Sequence, residues 1–333
     1  IKVTLKTRIL ITLVVLIGTA LFSACSNQEG QCLIKGEFTN MSEGELYFYM
    51  PDGPREKIDT VTVREGKFNY AIPLERNSYT MLLFPNMSEQ VVFVEPGLTV
   101  EIDANATQLR DIKISGGTDN KLMSEFRTAI RELSEGQIQE KAAELIGQHP
   151  ISSFGSFLLK RYLMNVNNPN LALVNNALES MIKAQPQHLN LKNMQEKIQS
   201  LISVSKGGKA PEFTVKDNQG IEHKLSDYKG KDFILVFGAS WAEDYREQLR
   251  AIKSDLESME SPLEVINIVM DQNRPTIRSI MRDSIPGATS PEGRNWFSEI
   301  AQDYQILTLP TFFLIDKNQK IMAREEEWTE LKK

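Results

Sequence analysis

Thiols and paired carboxylates are the groups in this chain that could take part in catalysis. The chain has few thiols, and its adjacent carboxylates have a structural explanation. The only two cysteines are Cys25 and Cys32, whereas thiol–disulfide exchange needs a thiolate and a second sulfur that resolves the mixed disulfide. Glu243 and Asp244 are adjacent carboxylates, a pair that could serve general acid–base catalysis. Because acidic residues in the first turn of a helix are favoured by its dipole, we interpret this pair as helix-stabilising.

Metal and nucleic-acid chemistry are not supported by the residue pattern. His149, His188 and His223 lie in separate segments without the spacing of metal ligands, so we predict no metal site and no cofactor. The net charge is -6, and no stripe rich in lysine and arginine stands out, which excludes nucleic acid as a partner.

The first residues have the pattern of a targeting segment. Basic residues precede an apolar run over residues 9–22, and the run closes on "LFSAC". This end resembles a bacterial lipobox, which implies a signal peptide over 1–24, lipid on Cys25 and a polar tether over 25–31. An ordinary signal peptide or a signal anchor is the alternative. We expect a cell-envelope protein that faces the periplasm and is held to the membrane by that lipid. Ser26 after the cysteine favours the outer membrane, by resemblance to enterobacterial sorting.

Cys32 would then be the single thiol of the mature chain. A lone cysteine at the start of a strand is usually a small buried hydrophobe. If it were exposed, it could instead form a disulfide between two chains.

The apolar periodicity divides the rest of the chain into three parts. Residues 32–118 alternate apolar and polar side chains between turn signals, which predicts an all-β sandwich. Residues 119–205 place apolar residues three and four apart and predict a helical spacer. After a linker over 206–211, residues 212–333 alternate buried-strand runs such as "FILVF" with a helical stretch over 241–259, as in an α/β sheet.

Several motifs of the last part match one family in order and spacing. "APEFTVKDNQGIEHKLSDYKGK", "ILVFGASWAEDYREQL" and "YQILTLPTFFLIDKNQKIMA" resemble the thioredoxin-fold proteins of the TlpA, ResA and AhpC/TSA peroxiredoxin-like group. The β-rich part resembles, more weakly, the DUF4369 domain that precedes such domains in Bacteroidetes lipoproteins. The resemblance implies a multidomain lipoprotein with an N-terminal sandwich, a helical spacer and a C-terminal thioredoxin-like fold.

In that family the active site is Trp-Cys-X-X-Cys at the start of a helix, where the helix N-terminus lowers the pKa of the first thiol. On this sequence Trp241 keeps its place, while Ala242 and Tyr245 stand at the two cysteine positions. Gln248 stands where these proteins often carry Glu. Leu309-Pro310 stands where the family has its cis-proline, beside which relatives bind an extended substrate peptide by strand addition.

These replacements predict a redox-inactive domain that binds an extended peptide or an envelope protein. The predicted groove consists of six residues: Trp241, Glu243, Asp244, Tyr245, Leu309 and Pro310. The alternative is thiol–disulfide oxidoreductase or peroxiredoxin-like activity as in the parent family, performed with a partner's cysteines or an unrecognised nucleophile. A third possibility is a structural role for the β-domain alone.

Overall fold

A computed structural model describes residues 30–51, 58–260, 262–282, 287–291 and 296–332. The predicted signal peptide, the lipidation site Cys25 and most of the tether lie outside these residues. Among the described residues, no helix combines the length and the apolar character needed to cross a membrane. The chain folds into two compact units that divide between His188 and Leu189.

Eight strands of the first unit form one hydrogen-bonded sheet in the order β6-β5-β2-β3-β4-β1-β7-β8. They are β1 (Gln31–Thr39), β2 (Glu43–Tyr49), β3 (Asp59–Arg64), β4 (Lys67–Pro73), β5 (Ser78–Leu83), β6 (Glu89–Val94), β7 (Thr99–Asn105) and β8 (Lys113–Ser115). Strands from both ends of the order contribute to one apolar core. The domain is all-β as predicted, but its strands belong to a single sheet that encloses this core rather than to two separate sheets.

Helices cover the outer face of β5 and β6, which explains why these two strands bury side chains on both faces. They are α1 (Thr118–Ala129), α2 (Glu135–Gln148), α3 (Ser153–Leu158) and α4 (Leu171–Ala184), and α3 runs directly into a π-helical turn, Leu159–Met164. The ring of Phe157 packs edge-on against Tyr79 of β5 at 5.4 Å and Phe93 of β6 at 5.9 Å. The helices predicted over 119–205 are present, and those up to Ala184 belong to the first unit together with the sheet that they cover.

Two adjacent polar residues of α1 fix the helices to the sheet and to each other. The Asn120 amide accepts a hydrogen bond from the Phe93 N–H at 2.9 Å and donates to the Phe93 carbonyl at 2.8 Å. It also donates to the Gly116 carbonyl at 2.7 Å. Beside it, the Asp119 carboxylate accepts a hydrogen bond from the Phe154 N–H at the start of α3, at 3.0 Å.

The second unit contains a mixed five-stranded sheet in the order β13-β12-β11-β14-β15, preceded by a hairpin. Its strands are β9 (Thr214–Lys216), β10 (Glu222–Lys224), β11 (Phe233–Gly238), β12 (Glu264–Val269), β13 (Ala288–Ser290), β14 (Thr311–Ile315) and β15 (Ile321–Glu325). Its helices are α5 (Leu189–Ser203), α6 (Tyr245–Glu257), α7 (Arg274–Arg282), α8 (Glu299–Asp303) and α9 (Trp328–Leu331). This is the predicted α/β thioredoxin-like architecture, so the predicted fold class is confirmed.

Both faces of β11 are buried, as its continuous apolar run predicts. Alternate residues face opposite ways along a strand. Leu235 and Phe237 belong to one core cluster, which includes Tyr304. Ile234 and Val236 belong to the other, which includes Tyr245 and the apolar face of α6. The turn before α6 therefore follows directly on a strand that is packed in the core on both faces.

Candidate functional site

The turn between β11 and α6 differs from the predicted helix start. The sequence predicts a helix from residue 241, but α6 begins at Tyr245, and Asp244 before it has a left-handed backbone with φ 53°. Residues 240–244 form a turn, closed by the Ala242 N–H donating to the Ala239 carbonyl at 3.1 Å. Ala242, at the first cysteine position, therefore lies outside the helix and its N-terminal dipole.

Tyr245, at the second cysteine position, is fully buried beneath this turn. Its hydroxyl donates a hydrogen bond to Asn267 Oδ1 of β12 at 2.6 Å. Its ring lies against Gly238, where an added Cβ would come within 2.0 Å of a ring carbon. Burial raises the pKa of this phenol. The prediction that Tyr245 lines an open groove is therefore wrong, because its side chain is packed within the hydrophobic core.

The exposed side of the same turn carries an aromatic pair. Trp241 is 62% exposed, and its ring lies 6.4 Å from that of Trp296. Phe297, next along the chain, is 82% exposed. Glu243 and Asp244 are also exposed, as a groove residue would be. The structure thus surrounds the exposed Trp241 with apolar and acidic surface.

Leu309-Pro310 is a cis peptide bond, as the resemblance implies. Phe237 pairs with Thr311 across β11 and β14, so the turn after β11 and the segment before β14 leave the sheet at the same edge. The Thr311 hydroxyl donates to the Thr308 carbonyl at 2.7 Å and shapes this segment. Pro310 is buried, and Leu309 is half-buried and packs against the core.

Comparison with known proteins assigns both folded parts. Residues 206–324 match the AhpC/TSA family, and residues 32–123 match a domain of unknown function, DUF4369. The chain carries an AhpC/TSA domain after a DUF4369 domain. The AhpC/TSA domain is thioredoxin-like and is similar to the thiol-disulfide oxidoreductase ResA.

Curated relatives match just over a third of the chain. The thiol-disulfide oxidoreductase ResA of Bacillus subtilis is 26% identical over 121 residues, which cover 36% of this chain and 66% of ResA. ResA of Geobacillus thermodenitrificans is 29% identical over 119 residues, which cover 36% and 68%. The chain therefore spans about two thirds of the length of these relatives.

Solved structures from Bacteroides are also similar. A thiol-disulfide oxidoreductase from Bacteroides fragilis is 26% identical and covers 37% of this chain and 97% of its own, with a TM-score of 0.33. A thioredoxin-like protein from Bacteroides caccae is 17% identical and covers 64% and 80%, with a TM-score of 0.47.

Three residues that shape the AhpC/TSA site were missed by sequence reasoning. The buried Asp271 carboxylate accepts hydrogen bonds from the Ser240 N–H at 2.7 Å and the Ser240 hydroxyl at 2.6 Å, which fixes the residue before Trp241. Asn267 is the third. Both Asn267 and Asp271 lie in or just after "LEVINIVM", so polar residues in that apolar run were the available signal.

Gln248, one turn into α6, has a structural role. Its side-chain oxygen accepts a hydrogen bond from the Trp328 N–H at the start of α9, at 2.7 Å, and its amide donates to the Glu326 carbonyl at 3.4 Å. Glu at this position could accept the first bond but could not make the second. Gln248 therefore joins α6 to the chain before α9.

The remaining candidate groups lie away from this turn. His223 contacts the Tyr228 hydroxyl at 2.9 Å and the Asp217 carboxylate at 3.1 Å. Within the described ranges, no three His, Cys, Asp or Glu side chains gather as metal ligands. Cys32 is a free thiol with no exposed surface in the DUF4369 domain, and burial raises its pKa. This burial contradicts the open possibility of an accessible thiol that links two chains.

Proposed function

We propose that the AhpC/TSA domain is a redox-inactive binding module that holds an extended peptide or a partner protein beside Trp241. Tyr245 carries this proposal. Its phenol occupies the second cysteine position, is fully buried, and is bonded to Asn267. A chain whose cysteines are Cys25 and Cys32 offers no thiol anywhere in this domain. The site keeps the shape of its family without the atoms that exchange disulfides.

The proposed binding surface consists of Trp241, Trp296 and the backbone before cis-Pro310. An exposed indole gives a flat apolar area with a polar N–H, which suits recognition of a peptide. No backbone–backbone hydrogen bond between described residues uses the Leu309 N–H, which leaves it available to an incoming strand. Such strand addition supplies main-chain hydrogen bonds, while the tryptophans would select a side chain.

Affinity capture of envelope proteins by the mature chain tests this surface. Trp241→Ala should lose the captured partner, whereas Ile221→Ala, which truncates a 54% exposed apolar side chain elsewhere in the same unit, should retain it. Equal capture by both variants would remove the proposal. Tyr245 is unsuitable as a binding variant because its truncation would open the core.

Catalytic assays test the redox-inactive part. Insulin reduction and peroxide turnover should both be absent from the purified protein. The names of the relatives favour a second candidate, thiol–disulfide exchange with cysteines that a partner supplies. A Cys32→Ser protein should leave the rate of disulfide exchange between two cysteine-containing peptides unchanged; acceleration of that exchange by the protein would establish the second candidate.

We further propose that lipid on Cys25 anchors the chain to the envelope membrane, facing the periplasm, and to the outer membrane rather than the inner. The "LFSAC" motif and the following Ser26 support this location. Labelling with a clickable palmitate should mark the wild-type chain and not Cys25→Ser. Membrane fractionation then distinguishes the two membranes, and label in the Cys25→Ser chain would contradict lipidation at this site.

A further inference from the structure

The first unit contains a cavity whose wall is rich in arginine. Its volume is about 380 Å³, within the range of small-molecule sites, and it lies between β5–β6 and the helices that cover them. The four arginines that line it come from three separate segments: Arg110, Arg127, Arg131 and Arg161. Convergence of four guanidinium groups on one space is electrostatically unfavourable unless anions offset them.

The protein's own carboxylates offset only part of this charge. Glu89 also lines the cavity, but it already accepts a hydrogen bond from the Tyr49 hydroxyl. Arg131 pairs with Asp111 at 3.4 Å. In the part of the chain that the structure describes, Arg110 and Arg161 make no ion pair with a carboxylate. Positive charge therefore exceeds negative charge around the cavity.

Arg127 is held in place at this cavity. Its guanidinium donates to the Val91 carbonyl of β6 at 3.4 Å, and the side chain is half-buried. Burial lowers the pKa of this guanidinium, as expected for a charge removed from water. Keeping a partly desolvated cation beside two unpaired arginines is costly, and a bound anion would relieve that cost.

Apolar and aromatic side chains supply most of the remaining lining. Met81, Met123, Ile130 and Phe157 contribute to the wall, and Tyr162 lines it beside them. The Tyr162 ring packs edge-on against Phe126 at 4.9 Å. Arg161 and Tyr162 both lie on the π-helical turn, a feature often found at functional sites.

We propose that this cavity binds a small phosphate monoester whose organic part is apolar. Guanidinium forks match phosphate oxygens, and a monoester carries close to two negative charges at neutral pH. The apolar wall suits a hydrocarbon or aromatic portion of the same molecule. The site is independent of the surface beside Trp241, so either proposal can fail without the other.

Calorimetric titration of the full chain with phenyl phosphate tests the site. We expect saturable binding that is tighter than that of inorganic phosphate, because the ring contacts the apolar wall. Arg110→Gln and Arg161→Gln should each weaken binding by about tenfold, the usual effect of losing a hydrogen bond to a charged group. Both side chains are exposed, so the variants should keep the wild-type circular dichroism and melting temperature.

Arg64→Gln is the matched control, since Arg64 is an exposed arginine of the same unit that does not line the cavity. It should bind phenyl phosphate as the wild type does. Absence of binding, or equal weakening by Arg64→Gln and the two cavity variants, would overturn the proposal.

Vesicles that contain phosphatidic acid identify the source of the phosphate. Co-sedimentation that is lost in the Arg110→Gln, Arg161→Gln double variant would support a lipid headgroup as the ligand. Phenyl phosphate binding without co-sedimentation would support a soluble ester. Vesicle binding without any binding of phenyl phosphate would overturn a small-molecule cavity.

Discussion

Asn120 in the DUF4369 domain and Asn267 in the AhpC/TSA domain are both buried, and each helps to hold a helix against a sheet. The amide of Asn120 makes three hydrogen bonds to backbone groups. Two of them pair with Phe93 as a neighbouring strand would, on the edge strand β6. Asn267 instead offers its oxygen to one side chain, the Tyr245 phenol, and its amide nitrogen has no partner among the described residues.

The two asparagines differ in whether their hydrogen bonds depend on the identity of another side chain. Backbone partners cannot be changed by substitution, so the Asn120 junction depends on Asn120 alone. The Asn267 junction depends on the identity of residue 245, which is a cysteine position in the family. Because Asn267 has a single side-chain partner, a substitution at residue 245 alone changes its hydrogen bonding.

The largest expected effect is that of Asn120→Ala. It leaves the Phe93 N–H and carbonyl buried without partners and should lower the free energy of unfolding by roughly 2–4 kcal/mol. Urea denaturation followed by far-UV circular dichroism measures the loss, with the exposed Asn69→Ala as control. Equal stability of the two variants would show that water replaces the lost bonds at this edge.

Tyr245→Phe should have a smaller effect, about 1–3 kcal/mol, because it leaves one buried acceptor on Asn267 unpaired. All three tryptophans lie in the second compact unit, so urea denaturation followed by tryptophan fluorescence reports on this unit. Adding Asn267→Leu should recover much of the loss. Strictly additive effects would contradict a direct coupling between the two side chains.

The two junctions should also differ in their response to pH. Burial raises the pKa of Asp119, beside Asn120, although the N–H groups of Phe154 and Ser153 favour its charged form. The native state then holds this proton more tightly than the unfolded state. Its contribution to stability is complete below the ordinary pKa of 3.8 and is lost as the pH rises through the folded value.

Asp119→Asn should remove that slope, so the stability difference from wild type should change as the pH rises from the ordinary pKa of 3.8 through the folded value and then level off. Circular dichroism melts across this range measure it. The Tyr245 junction should show no slope there, since burial moves the pKa of its phenol further above neutral. A parallel pair of curves for Asp119→Asn and wild type would contradict the assignment.

The smallest effect is expected from a thiol placed at the first cysteine position. Because α6 begins three residues after Ala242 and two exposed carboxylates follow it, the thiol of Ala242→Cys should keep a pKa near the ordinary value of about 8.5. The rate of iodoacetamide alkylation against pH gives this pKa in a Cys25→Ser background. Ser254→Cys, on the exposed side of α6, is the control. If the Ala242→Cys thiol had a pKa well below that of the control thiol, the turn would stabilise a thiolate and the prediction would be wrong.

Much of the fold could be predicted because periodicity and motif order are local signals. The buried run of β11 and the alternation of β1–β8 are visible in the residues, and so is the position of Pro310. The single curled sheet was not predictable, since pairing such as that of β2 with β5 is set by long-range contacts. The docking of the helices was missed because the double-sided burial of β5 and β6 resembles an ordinary apolar run.

The candidate site was predicted by position but not by environment. The motif order predicts that residue 245 stands at the second cysteine position, but only the fold reveals that its phenol points inward to Asn267. The left-handed backbone of Asp244, after which the helix begins, could not be predicted either, because Asp tolerates both right-handed and left-handed backbone conformations. Trp296 is separated from Trp241 by 55 positions, and only the tertiary fold brings the two rings together.

The packing of the Tyr245 ring against Gly238 makes a change at either residue costly. The tyrosine ring occupies space that any side chain at 238 would need, so the glycine is fixed while the ring is present. Tyr245→Cys would leave that space empty and remove the hydrogen-bond partner of Asn267, at a cost to stability. Because disulfide exchange needs a second sulfur as well, this single substitution would lose packing without creating a dithiol.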